Sequence, residues 1–492
     1  METFGRMTPE QAVALGERWY DHGWLDAAVE YWQRVISMVC DPGLMVSAWD
    51  GIARVAARRG RWDEALAAFD QALAVLPSRA DSEWTMRLAM HQALVWAQQG
   101  QTDSAYRQLW ALAQQARTFT SPELRARIGL NLAAVQIDYE YYAQAIATLH
   151  SVATDWTPED QMRYRYFWAT NLGVCHVALR QWDEATQYLD LALSVATTED
   201  RAVPVLVERA ILAFHRGDTA GSVAEAQRAL RIMWRHWLAI EPDELARLST
   251  VLARIAEAFG ESFLARRFED MAQTLYGQLG RWQAWHRMRS IEDPSFLRRF
   301  PAKDSAMIDE LRRAVQWLET LFALDIVWPQ ASYITEVRNH AAQAIAARLQ
   351  WPTVRRNDLA SACRLADVGL TAIDPLARDH PRRSPAAWQQ YRQHPWLSCQ
   401  LLAPLGLDAR VLETIAHHHE QPDGQGFPEG RTAPDIPESA AIYAVADVYA
   451  QGTLTEGHTA TWSRMQDLAG SQLDARWVGV LLEIFASVNS EG

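Results

Sequence analysis

The residues best suited to chemistry stand together in His418-His419-Glu420-Gln421-Pro422-Asp423-Gly424-Gln425-Gly426-Phe427-Pro428. Adjacent imidazoles beside carboxylates supply the nitrogen and oxygen donors that suit a divalent transition metal. Gly424 and Gly426 read either as a ligand-facing loop or as plain turn positions that need positive φ. About twenty residues on, Ile442-Tyr443-Ala444-Val445-Ala446-Asp447-Val448-Tyr449 sets one carboxylate in an apolar helical run. Upstream, Glu336 and His340 are i and i+4 on a predicted helix, so both point one way. Metals bridged by such donors lower the pKa of bound water and clamp a phosphate under attack.

The first string resembles the HHExxDGxGYP signature of HD-GYP domains, with Phe427 in place of Tyr, and the second resembles that family's apolar helix with a metal-binding Asp. The resemblance spans about 180 residues, roughly 305–490. It implies an all-helical domain holding divalent metals, commonly iron or manganese, and hydrolysing cyclic di-GMP. It also implies a ligand set. Glu336 and His340 match the first Glu and His, His394 in Gln393-His394-Pro395 the next His, His418 and His419 the paired His, and Asp447 the last Asp. Asp423, Gly424, Gly426, Phe427 and Pro428 match the ligand loop.

Three departures fall on the chemistry. The family's His-Asp-Ile-Gly-Lys aligns with Ala366-Asp367-Val368-Gly369-Leu370. Asp367 is kept, as a bridging ligand and as the catalytic position if the domain is active. Ala366 removes a ligand and Leu370 a phosphate-facing charge. Gly452-Thr453-Leu454-Thr455-Glu456-Gly457 stands where an Arg-Pro-Tyr-Arg stretch is expected. Losing one electrostatic stabiliser costs on the order of 10²–10³ in rate. The expectation is one or two ions rather than three, and a pseudo-enzyme that binds metal, nucleotide or partner with little or no turnover. The alternative is an active metal-dependent cyclic di-GMP phosphodiesterase. Positions 366 and 370, four apart on a predicted helix, would share a face, so histidine and lysine there would restore some activity. His417 reads as surface or loop. Cys363, a turn before Asp367, reads as core more readily than as a soft substitute ligand.

The elements that must position these residues are helical throughout. Before the site, a turn residue, a small residue and an apolar residue recur in phase. The turns are Gly23, Gly60, Gly100, Glu140, Arg180, Gly217 and Gly260, each followed five positions on by Ala28, Ala65, Ala105, Ala145, Ala185, Ser222 and Ala265. The intervals between those small residues are 37, 40, 40, 40, 37 and 43 residues. Such a period means helix pairs that stack because one pair cannot bury its apolar stripe alone. Trp49, Ile52, Ala53, Ala65, Phe69, Ala72 and Pro77 resemble the tetratricopeptide consensus. That resemblance implies a docking array for a protein partner. Most of the 22 tryptophans read as core, with Trp24 and Trp110 as candidates for a concave face.

The expected organisation is all-α: a repeat array over 10–285, a linker over 286–304 marked by Asp293-Pro294 and Phe300-Pro301, and the HD-GYP-like domain over 305–490. A net charge of −13 argues against binding a nucleic-acid polymer but leaves room for a small nucleotide. The four scattered cysteines, Cys40, Cys175, Cys363 and Cys399, form no disulfide framework. No signal peptide or bilayer-spanning run is expected, which points to a cytoplasmic protein.

Overall fold

In a computed structural model, the described residues are 7–38, 41–76, 83–116, 121–154, 156–236, 242–279, 281–289, 305–327 and 331–490. Cys40, Pro77, the two prolines expected to mark the linker and most of that linker lie outside them. The fold is all-α. Among the described residues the extended pairings are two isolated bridges, Asp423 with Thr432 and Ala469 with Leu473. No described helix is long and apolar enough to cross a membrane.

The phase of the repeat is borne out in backbone conformation. All seven turn residues have positive φ, from 58° at Arg180 to 84° at Gly217. Glycine adopts that region freely, whereas Glu140 and Arg180 do so against their Cβ atoms. Each turn closes one helix by donating its N–H to a carbonyl three residues back, as Gly100 does to Ala97 and Arg180 to Val177. The small residues that follow are buried, with Ala28, Ala65, Ala105, Ala145, Ala185 and Ser222 fully so. One turn on, Trp32, Phe69, Leu109, Leu149 and Leu189 fill the groove that those small residues leave open.

The chain forms two compact units. Residues Ala56–Val315 make one, and Met1–Val55 with Gln316–Gly492 make the other. The first helix pair therefore belongs to the second unit and not to the array unit, where the sequence places it. The array unit stacks paired helices such as Thr102–Ala116 on Pro122–Asp138 and Trp182–Val195 on Glu199–Arg216. It carries a half-open cavity of about 790 Å³ lined by Asp103, Tyr142, Arg180, Trp182, Arg247 and Arg254 among others.

In the other unit, helices Pro9–Asp21 and Leu25–Ser37 pack on His458–Leu468 and Ala475–Ser490. Trp19 Nε1 and the Tyr31 hydroxyl both donate to Asn489 Oδ1, at 3.1 and 3.2 Å. Glu30 accepts from the Thr459 N–H and hydroxyl at the start of the His458–Leu468 helix. Trp24 is 3% exposed, edge-on to His340, Tyr449 and Phe485 with centroids 4.4, 5.5 and 4.8 Å away. It is a core residue of this unit, not a concave-face residue, because aromatic partners surround it. Trp110 is half exposed and stays on the array surface.

Candidate metal site

Five elements carry the site: helices Ala331–Arg348, His394–Leu402, Ala409–His417 and Glu438–Glu456 and the 3-10 turn Ala366–Ala372. Helix Ala331–Arg348 packs against Thr353–Leu365, Glu438–Glu456 and Ala475–Ser490. Its apolar stripe is Ile334, Ala341, Ala342 and Ile345, and Arg338 stands in that stripe with 1% exposure. Helix Thr353–Leu365 runs into a 3-10 turn, Ala366–Ala372, which holds Asp367. The N–H of Gly369 donates to Ser398 Oγ at 2.8 Å, and Ser398 Oγ donates to the Ala366 carbonyl at 2.5 Å. A Cβ on Gly369 would lie 2.2 Å from the His394 carbonyl oxygen, so only glycine admits this approach. That contact seats the 3-10 turn on helix His394–Leu402, whose first residue is His394.

Three imidazoles converge. Among the described residues, His394, His418 and His419 form the group of ligating atoms lying within 4.8 Å of one another. His394 Nδ1 donates to the Tyr391 carbonyl at 2.7 Å and His418 Nδ1 to the Ile415 carbonyl at 2.6 Å. A carbonyl only accepts, so both Nδ1 atoms carry the proton and both Nε2 atoms present lone pairs. Those two Nε2 atoms face each other at 3.2 Å. Two lone pairs cannot bond to each other; they suit a cation placed between them. His419 Nε2 is buried and has no hydrogen-bond partner among the described residues. Burial, with the neighbouring imidazole, drives the pKa of His394 down to about 4; burial does the same to His418 and holds His419 well below its usual value. The three rings are therefore neutral ligands at neutral pH.

The carboxylates are engaged differently. Arg338 Nε donates to Asp447 Oδ1 at 2.7 Å, Nη2 to Asp367 Oδ2 at 2.9 Å, and Nη1 to the Cys363 carbonyl at 3.0 Å. The guanidinium lies 4.8 Å over the Tyr443 ring. Gln451 Nε2 donates to Asp447 Oδ2 at 2.7 Å, so both oxygens of Asp447 are taken. Asp367 keeps Oδ1 toward the imidazoles, 3.8 Å from His394 Nε2. Burial alone would raise the Asp367 pKa, but the Arg338 guanidinium beside it holds it below the usual carboxylate value. The donor set thus fits one ion at the three imidazoles with Asp367 Oδ1 beside them. It does not fit a further ion between Asp367 and Asp447, where a guanidinium already bonds both.

Glu336 and His340 are not brought to this cluster. Residues i and i+4 share a face, and i+2 lies about 200° round the helix. With Arg338 turned inward, His340 faces out against Trp24 and against Gly23, where a Cβ would meet its ring at 2.7 Å. Glu336 is half-buried on the same face. Cys363 is fully buried, and burial raises its thiol to about 12, so its thiol is inert and its carbonyl is the part in use. Leu370 is buried in the 3-10 turn. At three residues per turn, positions 366 and 370 differ by about 120°, so they do not share the face expected of an α-helix.

The glycine loop is a built scaffold. Buried Glu420 accepts from the N–H groups of Glu429 and Arg431 at 2.7 and 2.8 Å and ties the loop's return to the imidazole pair. Asp423 Oδ1 accepts from Gln425 N–H, and Gly424 has φ of 75°. A Cβ on Gly426 would sit 2.3 Å from the Gln421 nitrogen. Phe427 is buried, stacked on His419 with centroids 4.6 Å apart, and Pro428 follows it. His417 is buried too, not on the surface, with Nδ1 3.9 Å from Glu420. Sequence reasoning missed Arg338 and Gln451, and it placed Glu420 in the signature string without giving it a role. For Arg338 the signal existed, a charged residue at an apolar-stripe position.

Residues 310–476 match the family model of the HD domain, and residues 48–83 match that of the tetratricopeptide repeat. A cyclic di-GMP phosphodiesterase of Pseudomonas aeruginosa is 29% identical over 122 residues, which is 24% of this chain and 30% of that protein. The cyclic di-GMP phosphodiesterase response regulator RpfG of Xanthomonas campestris pv. campestris is 28% identical over 162 residues, 31% of this chain and 42% of that protein. The chain thus spans less than half the length of either relative. Among solved structures, a Rap protein complexed with competence and sporulation factor aligns at a TM-score of 0.46 and 12% identity, covering 66% of this chain and 92% of that one. PilF of Pseudomonas aeruginosa aligns at 0.35 and 19%, covering 46% and 91%.

Proposed function

We propose that this chain, which joins tetratricopeptide repeats to an HD domain related to cyclic di-GMP phosphodiesterases, is a signalling adaptor with little or no turnover. Its HD domain holds one divalent ion, iron or manganese, at His394, His418 and His419, and takes cyclic di-GMP or a partner without cleaving it. The observation that carries this reading is position 366. A methyl group, fully buried, stands there beside Asp367 where the resemblance calls for an imidazole. Buried Leu370 adds no charge to receive a phosphate.

The preserved loop supports retained binding. Glu420, Gly424, Gly426 and Phe427 all have defined structural work around the imidazoles. An ion held at the three imidazoles would supply a Lewis acid for a phosphoryl oxygen. The chain's own residues orient the ligands: the Tyr391 and Ile415 carbonyls fix the tautomers, and Phe427 covers one ring. The array's cavity, with Arg180, Arg247, Asp103 and Trp182 in its lining, supports docking of a protein segment.

The test is hydrolysis of cyclic di-GMP by the full chain loaded with manganese or iron, beside its binding by calorimetry. Binding with a rate near background is expected. A robust metal-dependent rate, abolished by Asp367→Ala, makes the protein an ordinary phosphodiesterase and ends this reading.

A further inference from the structure

We infer that Arg338 is a built-in cation that occupies the carboxylate end of the HD site and limits the domain to a single metal ion. The inference rests on the three-imidazole site proposed above and adds what sets its capacity.

The guanidinium bonds both carboxylates that would flank a metal between Asp367 and Asp447, and it does so from within the chain. It bonds Asp447 Oδ1 and Asp367 Oδ2, its third side is closed by the Cys363 carbonyl, and its face lies on Tyr443. Arginine is 1% exposed here, and a charge so deeply buried is stable only when fully paired. One positive charge between two carboxylates leaves one net negative charge. That remaining charge is directed at the imidazoles through Asp367 Oδ1, 3.8 Å from His394 Nε2. A single ion at the three histidines completes the balance; a second one beside Arg338 would meet an adjacent cation and no free carboxylate oxygen on Asp447, whose other oxygen is held by Gln451. The opposite face of the same helix is locked in place, since His340 is packed on Trp24 and against Gly23. A rotation that would exchange Arg338 for His340 is thereby blocked.

The experiment is manganese binding to the full chain by equilibrium dialysis with elemental analysis, and low-temperature electron paramagnetic resonance of the loaded protein. Wild type should take one Mn²⁺ per chain and give the six-line signal of an isolated ion. Arg338→Ala, which frees both carboxylates, should take two and give an exchange-coupled signal. An Arg338→Ala chain that unfolds in chelator but folds with Mn²⁺ supports the inference equally, because the metal then does what the guanidinium did. If that variant folds under neither condition, the wild-type spectrum decides alone. An exchange-coupled cluster in wild type overturns the inference, as does a folded Arg338→Ala chain that takes one ion only. Wild type without any ion sinks the three-imidazole reading instead; a gain of one ion in Arg338→Ala would still uphold the role of Arg338.

Discussion

Asp447 tests how the carboxylates divide their work. By resemblance it is a metal ligand; by geometry it is the counter-charge of a buried arginine. Asp447→Asn should leave the metal content unchanged while destabilising the C-terminal unit by about 3–5 kcal/mol, the usual result of breaking one side of a buried ion pair. Chemical denaturation and elemental analysis of the same preparation read both. Loss of the ion without loss of stability would return Asp447 to the ligand set. His419→Ala should do the reverse and remove the ion, with a stability cost confined to the lost ring packing on Phe427 and His418, since its Nε2 bonds no described residue. The imidazole pair, the glycine loop and Asp367 were legible because their types and spacing are unusual in any sequence. Arg338 was overlooked, because Thr335-Glu336-Val337-Arg338-Asn339-His340 taken alone reads as a polar, solvated turn of helix, although its register with Ile334, Ala341 and Ile345 sets it in the apolar stripe. The i, i+4 rule places Glu336 and His340 on one face but does not say which face meets the core.

At the scale of elements, the turns between helices carried the clearest message. Seven turn positions of one phase all proved left-handed, five of them glycine. Glu140 and Arg180 hold φ of 62° and 58° with a side chain present, at roughly 1–2 kcal/mol each. Glycine there relieves that strain but costs about 0.5–1 kcal/mol in unfolded-chain entropy. The double variant Glu140→Gly, Arg180→Gly should therefore raise the melting temperature of the array unit by a degree or more. A fall would mean that these side chains make stabilising contacts outweighing the strain. The 3-10 turn at Ala366–Ala372 was not legible, because it is imposed by Gly369 seating on His394 and Ser398, a contact between residues far apart in sequence. In the array, Asp138 at the end of Pro122–Asp138 pairs with Arg281 and lies near Asp243 and Arg247. Burial lifts its pKa from 3.8 to about 6 against the pull of Arg281. Between those values the native state binds more protons than the unfolded chain, so this group's contribution is present below its ordinary pKa and is lost as pH rises through about 6. Melting curves of wild type from about pH 4 to 7 should show that decline, and Asp138→Asn should flatten it.

For the whole molecule, the order of residues and the order of packing differ. The first 55 residues belong with residues 316–492, and the intervening 260 form the other unit. Periodicity showed a first repeat in phase with the rest, but periodicity reports only that a helix pair has an apolar face, not what will cover it. Trp24 shows what does. Its ring is buried against His340, Tyr449 and Phe485, and Trp19 adds contacts with His458 and Phe485. A buried tryptophan cut to alanine typically costs about 3–5 kcal/mol. Trp24→Ala should therefore lower the stability of the HD-containing unit and leave the Ala56–Val315 unit nearly untouched. Calorimetry of the full chain separates the two, because added Mn²⁺ should raise only the transition of the unit that binds it. The transition that moves with Mn²⁺ is then the one that Trp24→Ala should shift downward. A shift confined to the metal-insensitive transition would assign the first helix pair to the array after all. Loss of Trp24 also removes the ring that holds His340 outward, so the variant should bind Mn²⁺ with altered stoichiometry if the helix turns, and with one ion per chain if the pairing of Arg338 with Asp367 and Asp447 alone fixes it. The inward pairing joins three buried charges through two of its three hydrogen bonds, and it outweighs the packing of His340 on Trp24 and Gly23, so one ion is the expected count.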